Sequence, residues 1–133
     1  MHGMDNYYVS KLLPLMANAQ LQVVANPLIN ITLQGRHDTH PKRRGMTHMP
    51  ELLAHSVNVA FGQDYAMDFW NSLGSGDMLE VVHMGLHVGQ MTSQAAMRKC
   101  FEMATTNAAK VMQLEGYSRD VGCNDFGKSA SST

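Results

Sequence analysis

The sequence has few cysteines, no long apolar run and no excess charge of either sign. Cys100 and Cys123 are its two cysteines, and they make neither a disulfide framework nor a zinc-knuckle spacing. A reducing, cytoplasmic home is therefore expected. Lys and Arg number 10 and Asp and Glu 11, a balance that argues against an electrostatic nucleic-acid binder. No stretch of about 18 apolar residues is present, so no membrane span is expected. The first six residues lack the basic and apolar regions of a signal peptide. There is no Walker loop, no G-x-G-x-x-G, no G-x-S-x-G and no H-x-E…P-C-x-x-C. No internal repeat of 20–50 residues appears. The 133 residues fit one small domain with a large share of its surface exposed.

What is present centres on the stretch from Val57 to Trp70. Val57, Val59, Ala60 and Phe61 suit a strand buried on both faces. Gly62 lets the backbone turn, and Gln63, Asp64 and Asp68 follow at once. In parallel α/β folds the chemistry sits at the carboxyl ends of strands. Asp64 is thus a candidate catalytic or metal-binding residue; it also suits a plain helix cap or turn.

Periodicity predicts a helix over residues 5–19, capped by Asp5, with Tyr8, Leu12, Leu15 and Met16 on one face and Pro14 as a kink. Leu21 to Ala25 reads as a buried strand that ends at Asn26-Pro27. Residues 28–45 read as a long polar loop, and Lys42-Arg43-Arg44 within it suits either an anion or plain solvation. A helix from Thr47 to His55 precedes the central strand. Ser75-Gly76-Asp77 opens another that runs to about Met91, with Leu79, Val82, His83 and Leu86 lining it and Gly85 and Gly89 weakening it. A last helix spans Ser93 to Leu114, with Met97, Phe101, Ala104, Ala108, Val111 and Met112 on one face and Gly116 as its stop. The tail over residues 116–133 is expected to be disordered, its end over residues 127–133 being small and polar. Twelve methionines suit gap-filling in a loosely packed core. The alternation is α/β, but two strands do not complete a covered parallel sheet.

Seven histidines raise the question of a metal. His83 and His87 stand at i, i+4 on one helix, yet Met84-Gly85-Leu86 lies between them and the glutamate of H-E-x-x-H is missing. Packing of both on the sheet is expected from the apolar character of that helix. His37, Asp38 and His40 offer a weaker loop site with no visible supporting groups.

Two runs carry a resemblance. Asn26-Pro27-Leu28-Ile29-Asn30, Leu33-Gln34-Gly35-Arg36, Asp38-Thr39 and Pro41-Lys42-Arg43-Arg44-Gly45 form the first. Phe61-Gly62, Asp64, Asp68, Trp70, Leu73-Gly74 and His83-Met84-Gly85-Leu86-His87-Val88 form the second. Together they resemble the cytosine deaminases of the amidohydrolase superfamily, colinear from about His2 to Gly122. The resemblance implies a fragment of a metal-dependent hydrolase acting on a cyclic amidine, with an iron or zinc ion in the complete enzyme. It implies a partial (β/α) barrel, the last strands and helices of a TIM-barrel amidohydrolase, over residues 1–115. Asp64 matches the Asp that ligates the metal and carries a proton; Trp70 matches an aromatic residue beside the substrate. Gln63 stands where a histidine is common, and Tyr65 where a second Asp contacts the pyrimidine, so the amidine accepted is open. The earlier H-x-H and histidine ligands have no counterpart here. The chain alone is thus expected to be inactive and not to retain metal. It is expected to form a homo-oligomer or to need a separate amino-terminal part, and the alternative is a non-catalytic half-barrel module.

Overall fold

Asp5 starts the first helix. Its carboxylate accepts from the Tyr7 and Tyr8 amides at 2.9 and 3.3 Å and satisfies donors that a helix start leaves free. The computed structural model describes residues 3–64 and 66–114. Along it run α1 (Asn6–Asn18), β1 (Gln22–Ala25), α2 (Pro27–Leu33), α3 (Met49–Ala54), β2 (Asn58–Phe61), α4 (Met78–Val88), α5 (Gln94–Ala104) and α6 (Thr106–Val111). Asp77 and Ser93 cap α4 and α5 as Asp5 caps α1, accepting from the Leu79 and Ala96 amides at 2.8 and 3.2 Å.

The two strands pair in parallel, with Gln22 opposite Asn58 and Ala25 opposite Phe61. The crossover between them holds α2 and α3, since parallel neighbours cannot be joined by a tight turn. Helices α3 to α6 all pack against β2. Val59, Ala60 and Phe61 are consequently buried, Val59 and Phe61 in one core cluster with Met49, Leu52, Val81, Cys100 and Met103. Strand β1 differs from the expectation of a buried strand. Val24 is 47% exposed, because the helices gather on β2 and leave one side of β1 open.

Three further expectations are corrected. Helix α1 buries Val9 and Leu13, while Tyr8 and Leu15 face outward. The expected loop over 28–45 begins as a helix, for Pro27 stands at the first position of α2, where its missing N–H costs nothing. The single helix over 93–114 is two helices broken at Thr105 (φ −120°, ψ −91°), and Met97 and Phe101 on its expected inner face are exposed. Among the described residues no helix is long and apolar enough to cross a membrane. Gly116, Cys123 and the tail over 116–133 lie outside the described residues.

Candidate active-site edge

The carboxyl ends of the two strands finish side by side. The Gly62 amide donates to the Ala25 carbonyl at 3.0 Å and extends the ladder by one residue. The Asn26 side chain then lies over Gly62: a Cβ at position 62 would stand 2.5 Å from Asn26 Oδ1 and 2.8 Å from Val24 Cγ1. Glycine is required there by close approach. Asn26 Oδ1 and the neighbouring Gln63 Nε2 are both buried without a hydrogen-bond partner among the described residues. Leaving such atoms unpaired costs about 1–3 kcal/mol each, so partners at this edge have a ready place to bind.

Asp64 comes next. It is exposed and holds a left-handed backbone, φ 70°, which is sterically unfavourable for most L-residues and which Asp tolerates better than most. Its carboxylate makes no hydrogen bond or ion pair among the described residues. Asp68 is already committed: its Oδ1 accepts from the Trp70 and Asn71 amides at 2.9 and 2.8 Å and ties the following loop. Trp70 is 60% exposed in that loop, and Tyr65 lies outside the described residues. Gln63 and Asp64 are thus brought to one edge by their own strand. Asn26 joins them from β1, a residue that reading Asn26-Pro27 as a turn passed over; its place directly after a strand was the available signal.

The basic loop is turned inward on itself. Arg43 Nε and Nη2 grip the Asp38 carboxylate, each at 2.8 Å, and hold its pKa well below the usual carboxylate range. Arg44 Nη1 donates to the Gln34 carbonyl at 3.1 Å, and Lys42 Nζ to the Arg36 carbonyl at 3.3 Å. Asp38 is therefore engaged by arginine, which removes it from any loop metal site with His37 and His40. His83 and His87 are exposed rather than packed on the sheet, and their Nε2 atoms lie 3.1 Å apart.

A catalytic or structural metal centre of the zinc type takes three or four protein ligands. Among the described residues no group of three His, Cys, Asp or Glu gathers, and the strand edge supplies one carboxylate. The residues present do not make a complete centre.

The sequence matches the amidohydrolase family over residues 1–123. The chain belongs to that family. Its members generally depend on a metal ion. Among curated proteins, it is 30% identical over 112 residues to a pterin deaminase of Rhizobium rhizogenes (strain K84 / ATCC BAA-868), covering 81% of this chain and 24% of that protein. Among solved structures, it matches 5-methylcytosine deaminase from Klebsiella pneumoniae liganded with 5-fluorocytosine, at 37% identity and a TM-score of 0.82. The same enzyme liganded with phosphonocytosine matches at a TM-score of 0.81. Each of those two comparisons covers 86% of this chain and 28% of the other. The chain thus spans about a quarter of the length of these relatives.

Proposed function

We propose that this chain is the carboxyl-terminal part of the (β/α) barrel of a metal-dependent hydrolase that deaminates a cyclic amidine such as cytosine. The observation that carries this reading is the strand edge. Asp64, exposed and with no hydrogen-bond or ion-pair partner among the described residues, stands three positions after the end of the most buried strand, and Asn26 and Gln63 at the same edge each carry a buried polar atom without a partner among those residues. The relatives are named for a pterin and for 5-methylcytosine. Hydrolytic loss of an amino group from a nitrogen heterocycle is the chemistry these names share. In the assembled enzyme a divalent iron or zinc ion, when bound, would make its water acidic enough to supply hydroxide near neutral pH. Asp64 would contribute one ligand and hold a proton on its carboxylate. Gln63, Tyr65 and Trp70 would border the ring of a pyrimidine-like substrate.

The chain alone should release no ammonia from cytosine, 5-methylcytosine or a pterin, with or without Fe²⁺ or Zn²⁺. The decisive experiment grafts it in place of the matching segment of the Klebsiella enzyme. Deaminase activity that survives the graft and drops at least 100-fold in Asp64→Asn supports the reading. A folded, active graft indifferent to Asp64→Asn overturns it.

A second reading has its own observation. Among the described residues the sheet has two parallel strands with Val24 half exposed, whereas parallel strands are normally covered on both faces. A non-catalytic half-barrel module that self-associates, or that pairs with a separate amino-terminal piece, would cover it. A monodisperse monomer in native mass spectrometry that melts cooperatively rules that module out.

A further inference from the structure

We propose that His83 and His87 form a surface chelate for one divalent first-row transition ion, separate from the strand edge. One helical turn apart on α4, both rings stand in solvent. Their Nε2 atoms lie 3.1 Å apart and their ring centroids 4.4 Å apart. Two neutral imidazoles at this distance share one proton between two nitrogens. When that proton moves to its own ring's Nδ1, both Nε2 lone pairs are free to bind one ion. With metal–nitrogen bonds of about 2.0–2.1 Å, a 3.1 Å separation subtends an angle of about 100° at the ion. That lies between the square angle of copper or nickel sites and the tetrahedral angle of zinc. Both side chains are exposed, so small rotations about χ1 and χ2 direct the two lone pairs to one point without disturbing the core. The helix holds the pair ready, which lowers the ordering entropy of binding. Glu80 stands one turn earlier, but its Oε2 already accepts from Ser75 Oγ at 2.6 Å, so water completes the coordination shell. Imidazole donors select zinc, copper and nickel over magnesium or calcium, and copper binds tightest among the divalent ions of the first row.

The test is calorimetric titration of the full chain with Zn²⁺, and separately with Cu²⁺, at pH 7.5, alongside ¹H–¹⁵N spectra of the imidazole rings. One ion per chain is expected, with the His83 and His87 ring signals shifting together. His83→Ala and His87→Gln should each weaken binding at least tenfold, and circular dichroism should show both variants still helical. His37→Ala/His40→Ala should bind as the unaltered chain does. Absence of saturable binding, unchanged binding in both α4 variants, or loss in the loop variant overturns the proposal. Loss of the ion in Asp64→Ala, with the α4 variants unaffected, places it at the strand edge and likewise overturns the proposal, while leaving the deaminase reading intact.

Discussion

Gly85 of α4 seats on the ring of Phe61, the last residue of β2: a Cβ at position 85 would collide with the Cζ and Cε1 atoms of that buried ring. The helix accepts glycine's low propensity so that it can lie against the strand that leads into Gln63 and Asp64. Alanine in a helix interior is ordinarily better than glycine by about 1 kcal/mol. Here Gly85→Ala should instead destabilise, by about 1–2 kcal/mol net, because overpacking a filled core costs about 1–3 kcal/mol. Urea titration gives the value. Phe61→Leu in the Gly85→Ala background should recover part of the loss, and additive single effects would show that the two residues are not coupled.

Asp5→Ala should cost about 1 kcal/mol, the usual loss for a helix cap. The carboxylate satisfies two amides at the start of the 13-residue α1, and no described residue is placed to replace it. Thermal melts of Asp5→Ala and Asp5→Ser separate the causes. Serine caps by the same geometry and should restore most of the stability.

These two cases show what was legible in the sequence. Helix starts were readable because Asp5, Asp77 and Ser93 are chemically suited to caps and occupy those positions. Helix faces were not. In α1, apolar residues stand at 9, 12, 13, 15 and 16, so more than one stripe of helical period can be drawn. Only the position of the core chooses Val9 and Leu13. Pro27 reads equally as a stop and as a first helical residue, which hid α2. The break at Thr105 lies in Ala-Thr-Thr-Asn, where no glycine or proline announces it. The place of Asp64 at the strand edge was legible because an acid follows a buried run. The place of Asn26 beside it was not, since that depends on strand register, and register is a property of pairing.

Asp38 gives a pH prediction. Its folded-state pKa lies below the ordinary carboxylate value because Arg43 donates to it from the side chain and from the backbone amide. A lowered folded pKa means that the unfolded chain binds more protons in the window just below the unfolded value of about 4. The stabilising contribution is therefore fully present above about pH 4 and is lost as pH falls through the folded pKa. Backbone amides over 34–44 should lose hydrogen-exchange protection below about pH 4. In Asp38→Asn that acid-side loss should vanish, with protection lower throughout. A loop whose protection is the same at pH 3 and pH 6 contradicts the assignment. Arg43 is largely exposed and Asp38 partly so, and the pair lies within one loop, so the effect should be local, leaving the global melting temperature nearly unchanged.

Cys100 predicts chemical silence. Its side chain is fully buried, its Sγ lies 3.4 Å from Met91 Sδ, and desolvation pushes its thiol pKa up. Thiolate is the reactive form, and the fold both withholds it and shields it. Disulfide reagents at pH 8 should therefore modify Cys100 only as fast as the chain unfolds, a rate that rises with added urea. Labelling of Cys100 in native buffer at the rate of a free thiol would contradict the packing around α5. Peptide mapping keeps Cys100 apart from Cys123.

Asp64 allows the turn role and the chemical role of one residue to be separated. Its backbone is left-handed at φ 70°, a conformation that costs most L-residues about 1–2 kcal/mol and that Asn and Gly accept readily. Its carboxylate touches no described partner. If Asp64 served only the turn, its charge would be dispensable and its shape would matter. Asp64→Asn and Asp64→Gly should accordingly leave the stability of the chain within about 1 kcal/mol, with Gly stabilising if relief of strain exceeds its unfolded-state entropy. Asp64→Val should lose about 1–2 kcal/mol, because a branched Cβ resists the left-handed region. Chemical denaturation of the three variants tests this. Indifference to the charge together with sensitivity to shape leaves the carboxylate free for a function outside the fold, the pattern expected where an active site is held at some expense of stability. A loss of several kcal/mol in Asp64→Asn, an almost isosteric change, would mean that the carboxylate holds the loop together, and the assignment of Asp64 as ligand and proton carrier would fall with it.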